Sequence, residues 1–305
     1  MPAQQKTPAE PFTTMTVSAP AKINLYLRAL RRRADGYHEL SSWMQKIALC
    51  DYLTITPRAT PRIRLEVRNQ NLAADATNLV WRAAAAFFAA CDARAANRGG
   101  VNGLDILLEK HIPTAAGLGG GSSDAATTLA SLNQICGAPL DADTLANIGL
   151  SLGADVPFFL FAAPAAYAGG IGEILRAAPT LDGYHIVLVN PGFAVSTKEV
   201  FSRLSLTSPR KKTTKSGPGA GGSQPLTELE NDLEAVTIAM RPEIARIKNR
   251  LIALGAARAL MSGSGATVFA LFSHRDFPDA PTTMAEDLRR EFGSLVFVTH
   301  ALTGA

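Results

Sequence analysis

The sequence has few cysteines and lacks any long apolar run, and both shortages limit what the protein can be. No stretch approaches the ~18 uninterrupted apolar residues of a membrane-spanning helix, and the first fourteen residues hold no apolar secretion signal. The three cysteines are odd in number, widely spaced and never arranged as C-x-x-C. This pattern argues against a disulfide framework and against a zinc site. We therefore expect a cytoplasmic protein without a membrane span.

The sequence also lacks a large excess of charge of either sign. The chain has 30 basic and 26 acidic residues, a formal net charge of +4, spread over 305 residues. Such a balance does not predict nucleic-acid binding, in spite of a pI near 9.0. The hydrophobic fraction of 47% is ordinary for a globular protein, and the length allows two domains or one large one.

The first half of the chain predicts a mixture of strands and helices. Residues 17–30 alternate as a strand does, which places Lys22 and Asn24 on the same face. Further strands are predicted at residues 51–56, 62–67 and 104–109, and an Ala-rich helix at residues 78–96. A run of glycines at residues 117–121 precedes a helix that reaches about residue 133. We expect a hydroxyl or carboxylate among residues 122–124 to cap that helix.

A second helix is predicted at residues 143–152, and Pro157 biases Val156 toward an extended conformation. Beyond it the pattern changes to strand 186–190, helices 227–240 and 242–254, strands 259–262 and 267–272, helix 284–292 and strand 295–300. Thr227 and Glu230 have capping-box spacing. The order β-α-β-β-α-β is typical of a ferredoxin-like domain. Residues 208–225, rich in Gly, Ser, Lys and Pro, predict a flexible insertion.

The segment Pro113-Thr114-Ala115-Ala116-Gly117-Leu118-Gly119-Gly120-Gly121-Ser122-Ser123 is the strongest functional signal. Glycines let backbone N–H groups crowd an anion, and a following helix adds partial positive charge at its N-terminus. The segment is neither a Walker motif nor a dinucleotide-binding fingerprint. It predicts a phosphate loop, and the alternative is a glycine-rich turn without a ligand.

Two isolated charges stand out. Lys22 is the only charged residue between Glu10 and Arg28, and Asp155 is the only acid between Asp143 and Glu173. Taken singly, Lys22 could be a strand-edge lysine and Asp155 a turn cap. Taken together, Lys22 could stabilise an ionised Asp155 that deprotonates a hydroxyl.

Two further segments carry weaker signals. Residues 261–266, Met-Ser-Gly-Ser-Gly-Ala, join two predicted strands and could be only a hairpin turn. Residues 35–40 place Tyr37 and His38 after an Asp-Gly turn. This pair suits stacking on a nucleobase and reading its edge, and the alternative is a hairpin with a half-buried Tyr and a surface His.

Residues 20–25, 113–123 and 262–266 resemble, in order and spacing, three motifs of the GHMP superfamily, which comprises galactokinase, homoserine kinase, mevalonate kinase and phosphomevalonate kinase. Residues 35–40, 78–79 and 153–157 narrow the resemblance to the branch whose substrate is a cytidyl diphosphate. It covers about residues 15–302. It implies phosphorylation, by ATP with Mg²⁺, of the 2-hydroxyl of methylerythritol carried on cytidine diphosphate, within the non-mevalonate route to isoprenoid precursors.

The resemblance also implies an α+β fold of two domains. An N-terminal lobe similar to ribosomal protein S5 domain 2 would span residues 15–165, a ferredoxin-like lobe residues 166–305, and the active site would lie between them. Residues 208–225 have no counterpart in the family. The loop carries Thr114-Ala115-Ala116 where relatives often have Met or further Gly, which leaves its function in place.

Residue by residue, the resemblance assigns three groups of site residues. Lys22 and Asp155 match the catalytic pair, and Tyr37 and His38 match the positions that recognise cytosine. The ATP loop would consist of Pro113, Gly117, Leu118, Gly119, Gly120, Gly121, Ser122 and Ser123. Other ligand-lining positions are Asn24, Asn78, Lys110, Thr197 and Phe201. Either Ser122 or Ser123 could reach Mg²⁺, and the sequence does not decide between them.

Three alternatives compete with this interpretation. A homoserine or mevalonate kinase is disfavoured by residues 35–40, and a regulatory nucleotide-binding module by the presence of both Lys22 and Asp155. A basic RNA-binding protein with an S5-like lobe is disfavoured by the charge balance. We expect a small-molecule cytidyl diphosphate substrate, no nucleic acid, no membrane, and a monomer or homodimer.

Overall fold

The computed structural model describes residues 12–205, 226–279, 281–293 and 295–304. The predicted insertion at residues 208–225 lies outside these described residues. The described chain forms two sheets with helices packed against them, which confirms the α+β class.

The first sheet is built around a long hairpin. Strands β1 (Met15–Arg32) and β2 (His38–Arg58) pair antiparallel, and β2 continues the sheet to β4 and β5. The other strands are β3 (Ile63–Arg68), β4 (Gly103–Glu109), β5 (Ala165–Gly169) and β6 (Ile174–Ala177). The order is β3-β4-β2-β5-β6, with β1 on β2.

Four helices belong to this half: α1 (Leu79–Ala93), α2 (Gly120–Ile135), α3 (Ala142–Leu152) and α4 (Val156–Leu160). The side chain of Asn78 caps α1 by accepting the N–H of Val80. Buried side chains of α1 and α2, such as Phe87 and Leu129, pack on Leu53 and Ile106 of the sheet. This packing holds the start of α2, and with it the glycine loop, against the sheet.

The second sheet has the strand order β10-β7-β9-β8, antiparallel throughout. Its strands are β7 (Tyr184–Asn190), β8 (Arg258–Met261), β9 (Val268–Ser273) and β10 (Leu295–Thr299). The helices are α5 (Thr197–Arg203), α6 (Glu234–Met240), α7 (Glu243–Ala253) and α8 (Thr282–Phe292). This arrangement confirms the predicted ferredoxin-like pattern.

A shared apolar core joins the two halves. Ile23 and Leu25 of β1 pack in one cluster with Leu260, Phe269 and Leu271 of the second sheet. Backbone bonds run across the same boundary, for example from the N–H of Leu27 to the carbonyl of Glu230 at 2.9 Å. As a result β1, which carries Lys22, is fixed between the two halves.

Three local predictions are wrong. Val156 is helical, because Pro157 occupies the first turn of α4, where no N–H is needed. Gly119, in the left-handed conformation, occupies the cap position of α2 instead of a hydroxyl or carboxylate. The predicted capping box at Thr227 does not begin a helix: a short 3-10 turn is followed by α6 from Glu234, since residues 230–232 pair with β1 instead.

The predicted division between residues 165 and 166 falls at the start of β5, which belongs to the first sheet together with β6. Residues 165–168 of β5 pair with residues 42–45 of β2, a contact that no local signal predicts. We propose instead that the halves divide in the connection between β6 and β7.

Candidate active site

Lys22 and Asp155 meet at the centre of the molecule. Lys22 Nζ lies 3.8 Å from Asp155 Oδ2, donates to Asn24 Oδ1 at 2.6 Å and donates to the carbonyl of Gly117 at 3.0 Å. The lysine side chain is 4% exposed and that of Asp155 is 38% exposed. Burial lowers the pKa of Lys22, and the charge of Asp155 offsets part of that shift. A buried cation thus faces an accessible carboxylate.

Asp155 stands directly before α4, but among the described residues its carboxylate makes no capping hydrogen bond to that helix. The turn-cap alternative for Asp155 therefore has no support in the geometry. The carboxylate lines the central cavity instead.

The glycine loop is shaped by close backbone contacts. Gly117 has φ +76°, and a Cβ built there would lie 2.0 Å from the carbonyl oxygen of Ser262. Ser262 Oγ donates to the carbonyl of Gly117 at 2.9 Å. At Gly119, with φ +71°, a Cβ would lie 2.9 Å from the ring of Phe159. Both positions favour glycine through their positive φ, and at Gly117 the Ser262 backbone also excludes a Cβ, so the loop is held close to the second half.

Helix α2 begins at this loop without a side-chain cap, since Gly119 has no side chain. The backbone N–H groups of the first turn and the positive end of the helix therefore face the cavity, which Gly120, Gly121 and Ser122 line. Ser122 is half-buried, whereas Ser123 is fully buried and its hydroxyl has no partner among the described residues. This end of α2 can hold an anion.

A buried group of charges lies beneath the loop. Lys110 Nζ donates to Asp51 and, at 2.7 Å, to Asp124 Oδ2. Asp51 also accepts the N–H of Ile112 at 2.8 Å. Burial raises the pKa of Asp124 to about 7, although the charge of Lys110 acts in the opposite direction. Lys110 and Asp124 flank the loop in sequence, so their ion pair ties its two ends together.

One cavity of about 670 Å³ connects these groups. Its volume is within the range of ligand-binding clefts, roughly 300–1,000 Å³. The predicted residues that line it are Lys22, Asn24, Asn78, Lys110, Pro113, Gly117, Gly119, Gly120, Gly121, Ser122, Asp155, Thr197 and Phe201. Leu118 and Ser123 are buried outside the lining, and Leu118 contributes its carbonyl to the N–H of Lys22 at 2.9 Å.

Neither Tyr37 nor His38 lines the cavity, and His38 is linked to it through Phe201. The His38 ring stacks on Phe201 with centroids 5.2 Å apart, while Tyr37 is 60% exposed at the hairpin end. Partial burial, and then the nearby charge of Arg32, lower the pKa of His38. A lowered pKa keeps the imidazole neutral at pH 7, so one ring nitrogen can accept a hydrogen bond.

Residue-level reasoning missed several groups around the cavity. Ser42 Oγ accepts a hydrogen bond of 2.9 Å from Asn24 Nδ2 and thereby fixes the orientation of the amide. The hydroxyls of Ser264 and Thr197 share a hydrogen bond of 2.8 Å. Leu72, Leu79 and other aliphatic side chains also line the cavity. The Ser-Gly-Ser-Gly motif was a signal for Ser264. Nothing local marks Ser42 or Leu72.

Neither a membrane-spanning helix nor a cluster of metal ligands is found among the described residues. None of the helices in the described ranges is long and apolar enough to cross a membrane. The described chain also has no cluster of three or more His, Cys, Asp or Glu side chains arranged around a metal position.

The sequence profile of the GHMP kinases N terminal domain matches residues 78–163, and that of the GHMP kinases C terminal matches residues 217–293. A homoserine kinase from Cytophaga hutchinsonii shares the fold, with a TM-score of 0.68 at 16% identity. The two profiles and the shared fold are therefore those of a GHMP kinase.

Curated relatives narrow this class. A 4-diphosphocytidyl-2-C-methyl-D-erythritol kinase from Geobacter metallireducens is 45% identical over 86% of this chain and 91% of its own. One from Desulfotalea psychrophila is 39% identical over 96% and 97%. A crystal structure of 4-(cytidine 5'-diphospho)-2C-methyl-D-erythritol kinase matches with a TM-score of 0.72 and 33% identity, over 95% of this chain and all of the other. The chain belongs to the 4-diphosphocytidyl-2-C-methyl-D-erythritol kinase family.

Proposed function

We propose that the protein transfers the γ-phosphoryl group of ATP to the 2-hydroxyl of 4-diphosphocytidyl-2-C-methyl-D-erythritol, a step toward isoprenoid precursors. Relatives of that name match this chain over most of their own length. The observation that carries the proposal is the placement of Lys22 and Asp155 beside the glycine loop in one cavity. That placement brings an anion site, a buried cation and an accessible base within reach of one transferred group.

In this proposal the ATP phosphates lie against the first turn of α2. The N–H groups of that turn have no side-chain cap, and its glycines allow close approach of the phosphate oxygens. The adenine ring is proposed to bind against aliphatic side chains that line the cavity, such as Leu72 and Leu79.

Asp155 is proposed to orient the substrate hydroxyl and accept its proton. The hydroxyl oxygen then forms the new bond to the γ-phosphorus, the bond to the ADP oxygen breaks, and the proton stays on the Asp155 carboxylate. Lys22, held by Asn24 and by the carbonyl of Gly117, places fixed positive charge beside the moving phosphoryl group. Such preorganised charge stabilises the transition state more than the ground state.

The cytosine ring is proposed to bind beside Phe201, with Tyr37 closing on its exposed face. The aromatic stack of His38 and Phe201 already provides one wall. A neutral His38 could accept a hydrogen bond from the amino group of cytosine. An aliphatic substrate such as homoserine or mevalonate would leave this wall unused.

Mg²⁺ would be held mainly by the nucleotide phosphates, with hard oxygen ligands from the chain. Ser122 fits this role, because it lines the cavity at the first turn of α2 and is only partly buried. Mg²⁺ would supply neutralisation of charge on the phosphate oxygens.

The substrate assignment is tested by incubating the protein with ATP, Mg²⁺ and the cytidyl compound and following ADP release. Homoserine and mevalonate serve as comparison substrates. ADP release with the cytidyl compound alone supports the proposal. Release with a comparison substrate alone would leave a GHMP kinase of different specificity, and release with none would contradict the proposed activity.

A cytoplasmic location and a monomeric or homodimeric state stay predictions from the sequence. The three cysteines are free thiols, as a reducing compartment favours.

A further inference from the structure

Lys46 is a buried lysine that the roles above do not use. It lies in β2 and is 9% exposed. Its Nζ donates to the carbonyl of Phe161 at 2.7 Å and to that of Phe159 at 3.4 Å, and lies 5.4 Å from the centre of the Phe158 ring. In the described chain its partners are thus carbonyls and an aromatic ring. Burial lowers the pKa of its amine to about 8.

These partners lie in the second part of α4 or directly after it, and α4 is a helix of five residues that begins directly after Asp155. The last carbonyls of a helix have no partner within it, and an ammonium can satisfy them. A helix this short is not stable by itself and depends on its tertiary contacts. The position of Asp155 therefore depends on what holds the other end of α4.

The strand register explains why a lysine reaches that end. Lys46 is paired directly with Lys22 across β1 and β2. Side chains of directly opposed residues leave the sheet on the same face. Helix α4 spans about 7.5 Å at 1.5 Å per residue, so the two lysines can contact its two ends. Lys22 contacts Asp155 before α4, and Lys46 contacts the carbonyls after it.

Two like charges opposed across a strand pair cost free energy, as does burial of each ammonium. Here each charge has its own partner at one end of α4. The backbone of Lys46 also binds the chain that follows α4, since its N–H donates to the carbonyl of Pro164 at 2.8 Å.

We propose that Lys46 is a positioning residue for the phosphoryl transfer: it fixes the end of α4 and thereby sets the place of the Asp155 carboxylate beside Lys22. This inference rests on the proposed function, because it assigns Lys46 a part in the same reaction through Asp155.

The test replaces Lys46 with Met, which keeps the length of the side chain and removes its charge and donors. Without them α4 shifts, and a misplacement of about 1 Å at a reacting group costs on the order of a hundredfold in rate. We expect kcat to fall about tenfold to a hundredfold, with KM for the cytidyl substrate within about twofold, since among the described residues Lys46 has no hydrogen bond to the cytosine wall of His38 and Phe201.

Arg289→Met is the control for loss of a cationic donor to a backbone carbonyl, at an exposed position. Arg289 also donates to a backbone carbonyl, that of Val296, but in the second half of the molecule. The Arg289→Met variant should have a lower midpoint of thermal unfolding and an unchanged kcat. If Lys46→Met instead raises KM with unchanged kcat, or loses only stability as the control does, the positioning role is wrong.

The same experiment separates this inference from the proposed function. A wild-type protein that does not phosphorylate the cytidyl substrate contradicts the function itself. An active wild type with an equally active Lys46→Met contradicts only the role of Lys46. If the Met variant does not fold, Lys46→Gln, which keeps an N–H donor but no charge, is measured in its place, with the same selective fall in kcat expected.

Discussion

Replacement of Gly117 by alanine should separate the shape of the glycine loop from the general stability of the fold. Gly117 and Gly137 have nearly the same backbone conformation, with φ +76° and +78°. A Cβ on Gly117 would lie 2.0 Å from the carbonyl oxygen of Ser262, whereas one on Gly137 would have no described atom within 4 Å. Both substitutions therefore place a Cβ on a left-handed backbone, but only Gly117→Ala also creates a steric clash.

The shared cost is the left-handed conformation, about 1–2 kcal/mol for a residue with a Cβ. Gly137→Ala should lose about that much free energy of unfolding and keep its activity. At Gly117 the loop or the Ser262 segment must also move by about 1 Å to reach an allowed contact near 3.0 Å. Such a movement displaces the Gly117 carbonyl from Lys22 Nζ, now 3.0 Å away.

We expect Gly117→Ala to lower kcat/KM about a hundredfold and Gly137→Ala to stay within about twofold of the wild type. Urea unfolding gives the stability of each variant, and coupled ADP release gives its kinetics. Equal activities of the two variants would refute the claim that the contact of Gly117 with Ser262 shapes the site. A Gly117→Ala variant that loses stability alone would do the same.

Three other predictions concern the site. Lys22→Met should lower kcat about 10²- to 10³-fold, measured by single turnover, while the Kd for ATP changes far less; equal losses would argue against its proposed role. Ser122→Ala should raise the Mg²⁺ concentration for half-maximal turnover several-fold, and Ser123→Ala should affect it less, because the Ser123 hydroxyl is buried; the reverse order would contradict the Mg²⁺ proposal. The pKa of Asp124, raised from 3.8 to about 7, means that the folded state holds a proton more tightly than the unfolded one. Its stabilising contribution is thus present below pH ~4 and lost as the pH rises to about 7. Urea unfolding from pH 5 to 8 should show the wild type losing stability relative to Asp124→Asn, and parallel curves would contradict the raised pKa.

Local sequence signals predicted much of the fold. The alternation in β1, the glycines before α2 and the order of elements in the second half all reflect nearest-neighbour chemistry, and the structure confirms them. The start of α4 was mispredicted, because the bias of Pro157 on Val156 is weaker than its fit to a first helical turn.

Long-range contacts account for what the sequence could not reveal. Lys110 was predicted to line a ligand site, and it does line the cavity, but Asp51, 59 residues earlier, engages its ammonium. Lys46 has no local signal at all, because its role depends on carbonyls 113 and 115 residues away. A buried charge is recognisable in a sequence only when its partner is near in the chain or belongs to a known motif.

The central claim, that Asp155 is the base facing Lys22 at the phosphate loop, is tested most directly with Asp155→Asn. Single-turnover transfer from ATP to the cytidyl substrate and the Kd for ATP are measured on the same preparation. The proposed mechanism predicts a fall in transfer rate of about 10²- to 10⁴-fold with the Kd within a few-fold of the wild type. Transfer at an undiminished rate, or a Kd that weakens as much as the rate falls, would contradict it.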